Sequence, residues 1–221
     1  MTSSHLVASA LTVAIAAGAG VVLTLALRRA THRRAEEQGR ARPRLWWVVP
    51  VLVVVAWALQ RQAGDDLTVL VVHGAALVWM AGLAAIDLDV RRLPDVWTGA
   101  GAVGFTVALA VAAAVTDDWT RWLVAVACGL VNGLVYLLLV LVNPAGLGLG
   151  DVKLAVPLGL LVGWWGPVPV VLAFFATFVL GLVVGLVVAV RTRDGLKATF
   201  PFGPAMLSGA AAVVVLAAGT T

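Results

Sequence analysis

Two short stretches of this 221-residue chain place carboxylates where apolar runs give way to polar ones. One reads Asp87-Leu88-Asp89-Val90-Arg91-Arg92-Leu93-Pro94-Asp95. The other reads Gly146-Leu147-Gly148-Leu149-Gly150-Asp151-Val152-Lys153-Leu154. Two carboxylates brought from different helices into a partly dry site can hydrolyse a peptide bond. Like charges that close do not ionise together, so the pair holds one shared proton. The ionised member takes a proton from water, and the protonated member donates to the carbonyl oxygen and later helps the amine leave. Such a reaction forms no covalent intermediate on the protein and needs no cofactor.

Each carboxylate also has a purely structural reading. Asp95 follows Leu93-Pro94 and precedes an apolar run, as a helix N-cap would. Asp89 is expected to be solvated or paired locally with Arg92. Asp151 could cap the helix that follows it. Asp87 fits a structural role least well, because it ends an apolar helix, where a carboxylate opposes the helix dipole at a cost of a few tenths to about 1 kcal/mol. Pairing with Arg91 at i+4 would offset that cost if the helix continues. Gly146, Gly148 and Gly150 permit backbone conformations closed to other residues and let another chain approach closely. Lys153, two residues beyond Asp151, does not share its helical face and reads as an interfacial anchor.

The elements that position these residues are membrane spans. The chain is 62% hydrophobic and 12% charged with a mean hydropathy of +1.05, whereas soluble domains carry about a quarter charged residues. Apolar runs cover residues 6–27, 45–60, 67–86, 96–115, 122–142, 152–165, 168–190 and 202–219, which predicts an all-α polytopic protein of eight transmembrane helices. The second and sixth runs are short and contain Pro50 and Pro157, which blurs their limits. No Lys or Arg precedes the first run and Arg28 and Arg29 follow it, so it reads as a retained span with its N-terminus outside. On that orientation both termini are outside, and 13 of the 15 basic residues fall in the inner loops 28–44, 87–95, 143–153 and 191–201. Arg61 and Arg121 alone remain outside, near Asp65, Asp66, Asp117 and Asp118. This split obeys the positive-inside rule and sets both carboxylate stretches on one face.

The net charge of +4 therefore belongs to loops that orient the chain, and no nucleic-acid surface is expected. The stretch 28–44 reads as a basic cytoplasmic loop able to touch anionic lipid. Cys128 is the only cysteine, and His5, His32 and His73 are scattered, so neither a disulfide nor a metal site is expected. Glycine and alanine within the spans would allow helices to pack closely.

At these residues the chain resembles the prepilin peptidases, the type IV leader peptidases among the GxGD intramembrane aspartic proteases. Gly148-Leu149-Gly150-Asp151 reads as GxGD, and Asp87 stands six residues before the Leu93-Pro94 pair, followed by Asp95. Pro201-Phe202-Gly203-Pro204-Ala205-Met206-Leu207 is similar to the opening of that family's last span. The resemblance covers roughly residues 67–210 of a single integral-membrane domain. It implies that Asp87 and Asp151 are the catalytic pair, with Gly148, Gly150, Lys153, Leu93, Pro94, Asp95, Phe202, Gly203 and Pro204 binding substrate or supporting them. It implies multi-pass insertion in the bacterial cytoplasmic membrane and removal of the short basic leader from prepilins or pseudopilins. Longer members carry paired Cys-x-x-Cys motifs associated with N-methylation in the segment corresponding to 28–44. This segment has no cysteine, so no methyltransferase activity is expected.

Other classes remain open on the sequence. A proton- or cation-coupled transporter could use the same aspartates, although such groups usually lie near the midplane and in repeated halves. A rhomboid-type serine protease would need Ser208 and His73, but Met206 stands two before the serine and His73 reads as a buried, hydrogen-bonded histidine. A non-catalytic scaffold would leave the glycine-aspartate stretch unexplained.

Overall fold

The computed structural model describes residues 3–39, 41, 43–64, 66–144, 146–191 and 200–220. Arg40, Arg42, Asp65, Arg193, Asp194 and Lys197 of the expected loops lie outside the described residues. Eight α-helices follow in order: α1 (Ser3–Arg28), α2 (Val48–Ala63), α3 (Leu67–Val90), α4 (Asp95–Thr116), α5 (Trp119–Val142), α6 (Leu149–Gly163), α7 (Pro167–Arg191) and α8 (Gly203–Ala217). The eight apolar runs thus each become a helix.

Their ends are set by local chemistry. Asp66 caps α3 by accepting from the Val69 amide at 3.0 Å, and Asp118 caps α5 by accepting from the Arg121 amide at 3.1 Å. Asp117 ends α4 in the left-handed conformation, so Asp66, Asp117 and Asp118 are helix punctuation. Gly64 (φ +60°) and Gly166 (φ +103°) close α2 and α6 in backbone regions that suit glycine. Pro50 falls in the first turn of α2, where its missing N–H is not needed.

Several helix ends shift by a few residues from the hydropathy reading, and two of the shifts bear on the carboxylates. α3 runs on to Val90, so Asp87 and Asp89 lie in its last turn. α6 begins at Leu149, so Asp151 and Lys153 are helical and the preceding loop is shorter than expected. Hydropathy ends a span at its first charge, whereas the helix continues wherever its amides are bonded.

Five helices, α1, α3, α4, α5 and α7, are long and apolar enough to cross a membrane. With 15 or 16 residues, α2, α6 and α8 measure about 22–24 Å against a hydrocarbon core of about 30 Å. α3, α6 and α8 carry most of the buried residues, including Leu83, Ile86, Leu154, Leu161 and Val214, while α1, α4 and α7 present valines and leucines outward. Packing among helices in lipid relies on close approach more than on water exclusion. The α5–α6 seam shows it: a β-carbon on Gly129, Gly159 or Gly163 would stand within 3 Å of the facing helix. Asn132 on α5 adds a 2.8 Å bond to the Ala155 carbonyl of α6.

Candidate active site

Asp87 occupies the last turn of α3 and is 5% exposed. Its Oδ2 accepts the backbone N–H of Gly203 at 3.1 Å, at the first turn of α8. The positive end of α8 therefore answers the charge that the C-terminus of α3 disfavours. Gly203 fits because it lacks a side chain: a β-carbon there would lie 2.6 Å from Asp87 Oδ2. The Arg91 charge also acts favourably on Asp87. Arg91 itself leaves α3 in the left-handed conformation (φ 53°), its N–H bonded to the Asp87 carbonyl at 2.8 Å.

Asp151 occupies the third position of α6 and reaches back to the Gly148 N–H, with Oδ2 at 2.9 Å. Its own amide returns a 3.0 Å bond to the Gly148 carbonyl. Asp151 thus does perform a capping function, one turn inside the helix rather than at its N-cap. The two aspartates share a geometry: each carboxylate rests on the backbone amide of a glycine at a helix N-terminus.

Both aspartates line one open cavity of about 780 Å³. Its walls come from the end of α3, the Leu93-Pro94-Asp95-Val96 entry to α4, residues 144 and 146–148 with the start of α6, and Phe200, Pro201 and Phe202 ahead of α8. Arg34, Arg91 and Arg92 bring positive charge to the same space. Asp87 and Asp151 thus face one space from two different helices. Phe202 leans on Phe178, with ring centroids 5.6 Å apart, and Pro204 sits in the opening turn of α8.

Three expectations are corrected. Asp95 is not an N-cap: Pro94, with fixed φ and extended ψ, holds that position and Asp95 is the first helical residue. Its carboxylate instead accepts from Lys153 Nζ at 2.8 Å, in an exposed pair that ties α4 to α6. Asp89 is neither solvated nor paired with Arg92. It takes a two-pronged bond from Arg33, at 2.6 and 2.8 Å, and faces His32 Nε2 at 2.8 Å. Those bonds hold the Arg33 guanidinium above its ordinary pKa against the opposing effect of burial. Finally, Gly146, Gly148 and Gly150 have no positive φ. Gly148 is extended (φ −95°, ψ 160°), and these glycines keep side chains off one wall of the cavity.

Sequence reasoning missed Arg34 as a cavity residue and His32, Arg33 and Glu37 as partners of the α3 terminus. The available signal was the density of arginine in 28–44, which exceeds what orientation requires. His73 behaves as expected: buried, with Nδ1 3.3 Å from the Val69 carbonyl and Nε2 3.2 Å from that of Leu161. Ser208 is exposed on α8 and lines no part of the cavity.

A model of the type IV leader peptidase family matches residues 74–186, just over half of the chain. The matched region contains Asp87, Leu93, Pro94, Asp95, Gly148, Gly150, Asp151 and Lys153, and stops short of Phe202, Gly203 and Pro204. No curated protein and no solved structure matches the chain.

Proposed function

Because the chain belongs to the type IV leader peptidase family, we propose that this membrane peptidase is an aspartic endopeptidase acting on prepilins or pseudopilins. It removes their short basic leader at the cytoplasmic face of the bacterial inner membrane, and the chain acts as a single membrane domain with segment 28–44 on that face. The observation that carries this reading is the opening of Asp87 and Asp151, from different helices, into one cavity.

In this reading a water lies between the two carboxylates. The Gly203 and Gly148 amides each hold one oxygen, Oδ2, of their aspartate. Among the described residues neither Oδ1 has a hydrogen-bond partner, which leaves that oxygen of each pair for water and substrate. One aspartate is ionised and takes the proton of the attacking water. The other is protonated and donates to the scissile carbonyl oxygen. As the resulting diol collapses it takes that proton back, and the first aspartate passes the proton it took from water to the leaving amine. The apolar wall of Leu147, Val96 and Phe202 would carry an extended peptide whose hydrophobic continuation stays in the membrane.

The test is a cleavage assay in cells that produce the protein together with a prepilin. Wild type should shorten the prepilin by its leader, with a single new N-terminus on sequencing. Asp87→Asn and Asp151→Asn should accumulate in membranes yet leave the prepilin intact. Cleavage by both variants at the wild-type rate would remove the two-aspartate mechanism, and an uncut prepilin with wild type would remove the substrate.

A further inference from the structure

The polar segment after α1 grips the turn that carries Asp87 at two points. Residues 87 and 89 are two apart, so on a helix they face about 200° from each other. Asp87 faces α8, while Asp89 faces the segment, where Arg33 closes its fork on both carboxylate oxygens and His32 joins Oδ2. The side chains of Arg33 and Asp89 are 3% and 5% exposed, so this is a desolvated pair. Past the left-handed turn at Arg91, Arg92 donates to Glu37 Oε2 and to the His32 carbonyl, each at 3.2 Å. Glu37 is fixed in turn by the Arg34 amide at 2.8 Å, and Arg33 also donates to the Ala41 carbonyl at 2.7 Å.

An orientation signal needs only positive charge in a loop, without burial or a paired acceptor. Burying an ion pair is costly and seldom adds stability, yet it fixes geometry when its bonds are complete. Arg33 presents a planar fork matched to a carboxylate, which a lysine cannot reproduce. The grip on Asp89 and Arg92 brackets the end of α3, and α8 holds the same turn from the opposite side.

We propose that Arg33, through Asp89, is a positioning residue of the active site: it fixes the roll of the last turn of α3 and so the reach of Asp87 towards Asp151. His32 and Glu37 complete the clamp. This inference rests on the two-aspartate reading. A misplacement of about 1 Å at a reacting group can cost about a hundredfold in rate, so the clamp acts on turnover rather than on peptide binding.

The experiment compares purified wild type with Arg33→Gln, Asp89→Asn, their double variant and Arg33→Lys, cleaving a prepilin in detergent micelles. Folded fraction is scored by size-exclusion profile and thermal unfolding. Each single variant should lose about tenfold to a hundredfold in kcat per folded molecule, with KM within about threefold, and the limbs of its pH–kcat profile should move. Arg33→Lys should recover part of the loss. The double variant should be no worse than the weaker single, because it leaves no buried charge alone. If Arg33→Gln does not accumulate folded, Arg33→Lys carries the same readouts, and wild-type values there overturn the clamp. So does a loss fully explained by the folded fraction with unmoved pH limbs. Inactive Asp87→Asn and Asp151→Asn beside fully active Arg33 and Asp89 variants would sink the clamp alone. Active aspartate variants would sink the reading beneath it.

Discussion

The Gly203 amide donates to Asp87 Oδ2 at 3.1 Å, and no β-carbon fits on Gly203 because it would stand 2.6 Å from that oxygen. One residue thus supplies a bond and a vacancy; Gly203→Ala keeps the N–H but fills the vacancy, so the added methyl pushes the Asp87 carboxylate off that amide. A hydrogen bond to a charged group is worth about 1.5–3 kcal/mol, or about 10–150-fold in an equilibrium or rate. Gly203→Ala should lower kcat by about that factor, with KM changed less, in a micellar cleavage assay. Wild-type turnover would show that α8 does not hold Asp87 during catalysis.

How much of this was legible in the sequence follows from the range of each interaction. Apolar run length reports spans directly, so all eight helices were visible. Their polar ends were not, since Asp87 and Asp151 continue helices that hydropathy stops. The partner of Asp89 lies 56 residues away, and spacing pointed instead to Arg92, three residues on. For Asp95 the usual preference for aspartate at an N-cap lost to the rigid ring of Pro94, and Lys153 took the freed carboxylate. Gly203 was marked as part of a motif, but nothing in its neighbours announced that its amide meets a carboxylate 116 residues earlier.

The Lys153–Asp95 pair joins α4 to α6 beside the cavity, with side chains 51% and 72% exposed. At that exposure solvent screens the attraction, and measured surface pairs contribute about 0.2–1 kcal/mol. A double-mutant cycle of Lys153→Ala and Asp95→Ala, read by thermal unfolding in micelles, should give a coupling below about 1 kcal/mol that falls further as salt is added. A coupling of several kcal/mol would mean the pair is closed off from water in the working protein.

The position of Asp151 depends on the seam between α5 and α6. A β-carbon on Gly159 would meet Asn132 Cβ at 2.7 Å and the Cys128 carbonyl at 2.9 Å, so the backbones must part to admit it. Gly159→Ala should cost about 1–3 kcal/mol of stability through overpacking. It should also weaken the Asn132–Ala155 bond nearby. Gly104, with open space around it on α4, is the control. Its replacement by alanine should leave the unfolding midpoint nearly unchanged, and equal effects at the two sites would refute the tight seam.

In the two-aspartate reading, the pH dependence of turnover reports on the proton the pair would share. If both aspartates are protonated, water has no base, so kcat must fall as acid is added. If both are ionised, no proton reaches the carbonyl oxygen, so kcat must also fall towards alkaline pH. The expected profile is a bell whose two limbs belong to the coupled pair rather than to either residue. Asp87→Asn and Asp151→Asn should leave no bell at all, only residual rate. The profile is taken across the pH range in which prepilin and micelle keep their state, with KM followed at each pH so that binding is separated from turnover. A wild-type rate that is flat through the acid range would show that no carboxylate serves as base, and would return the peptidase to a different chemistry.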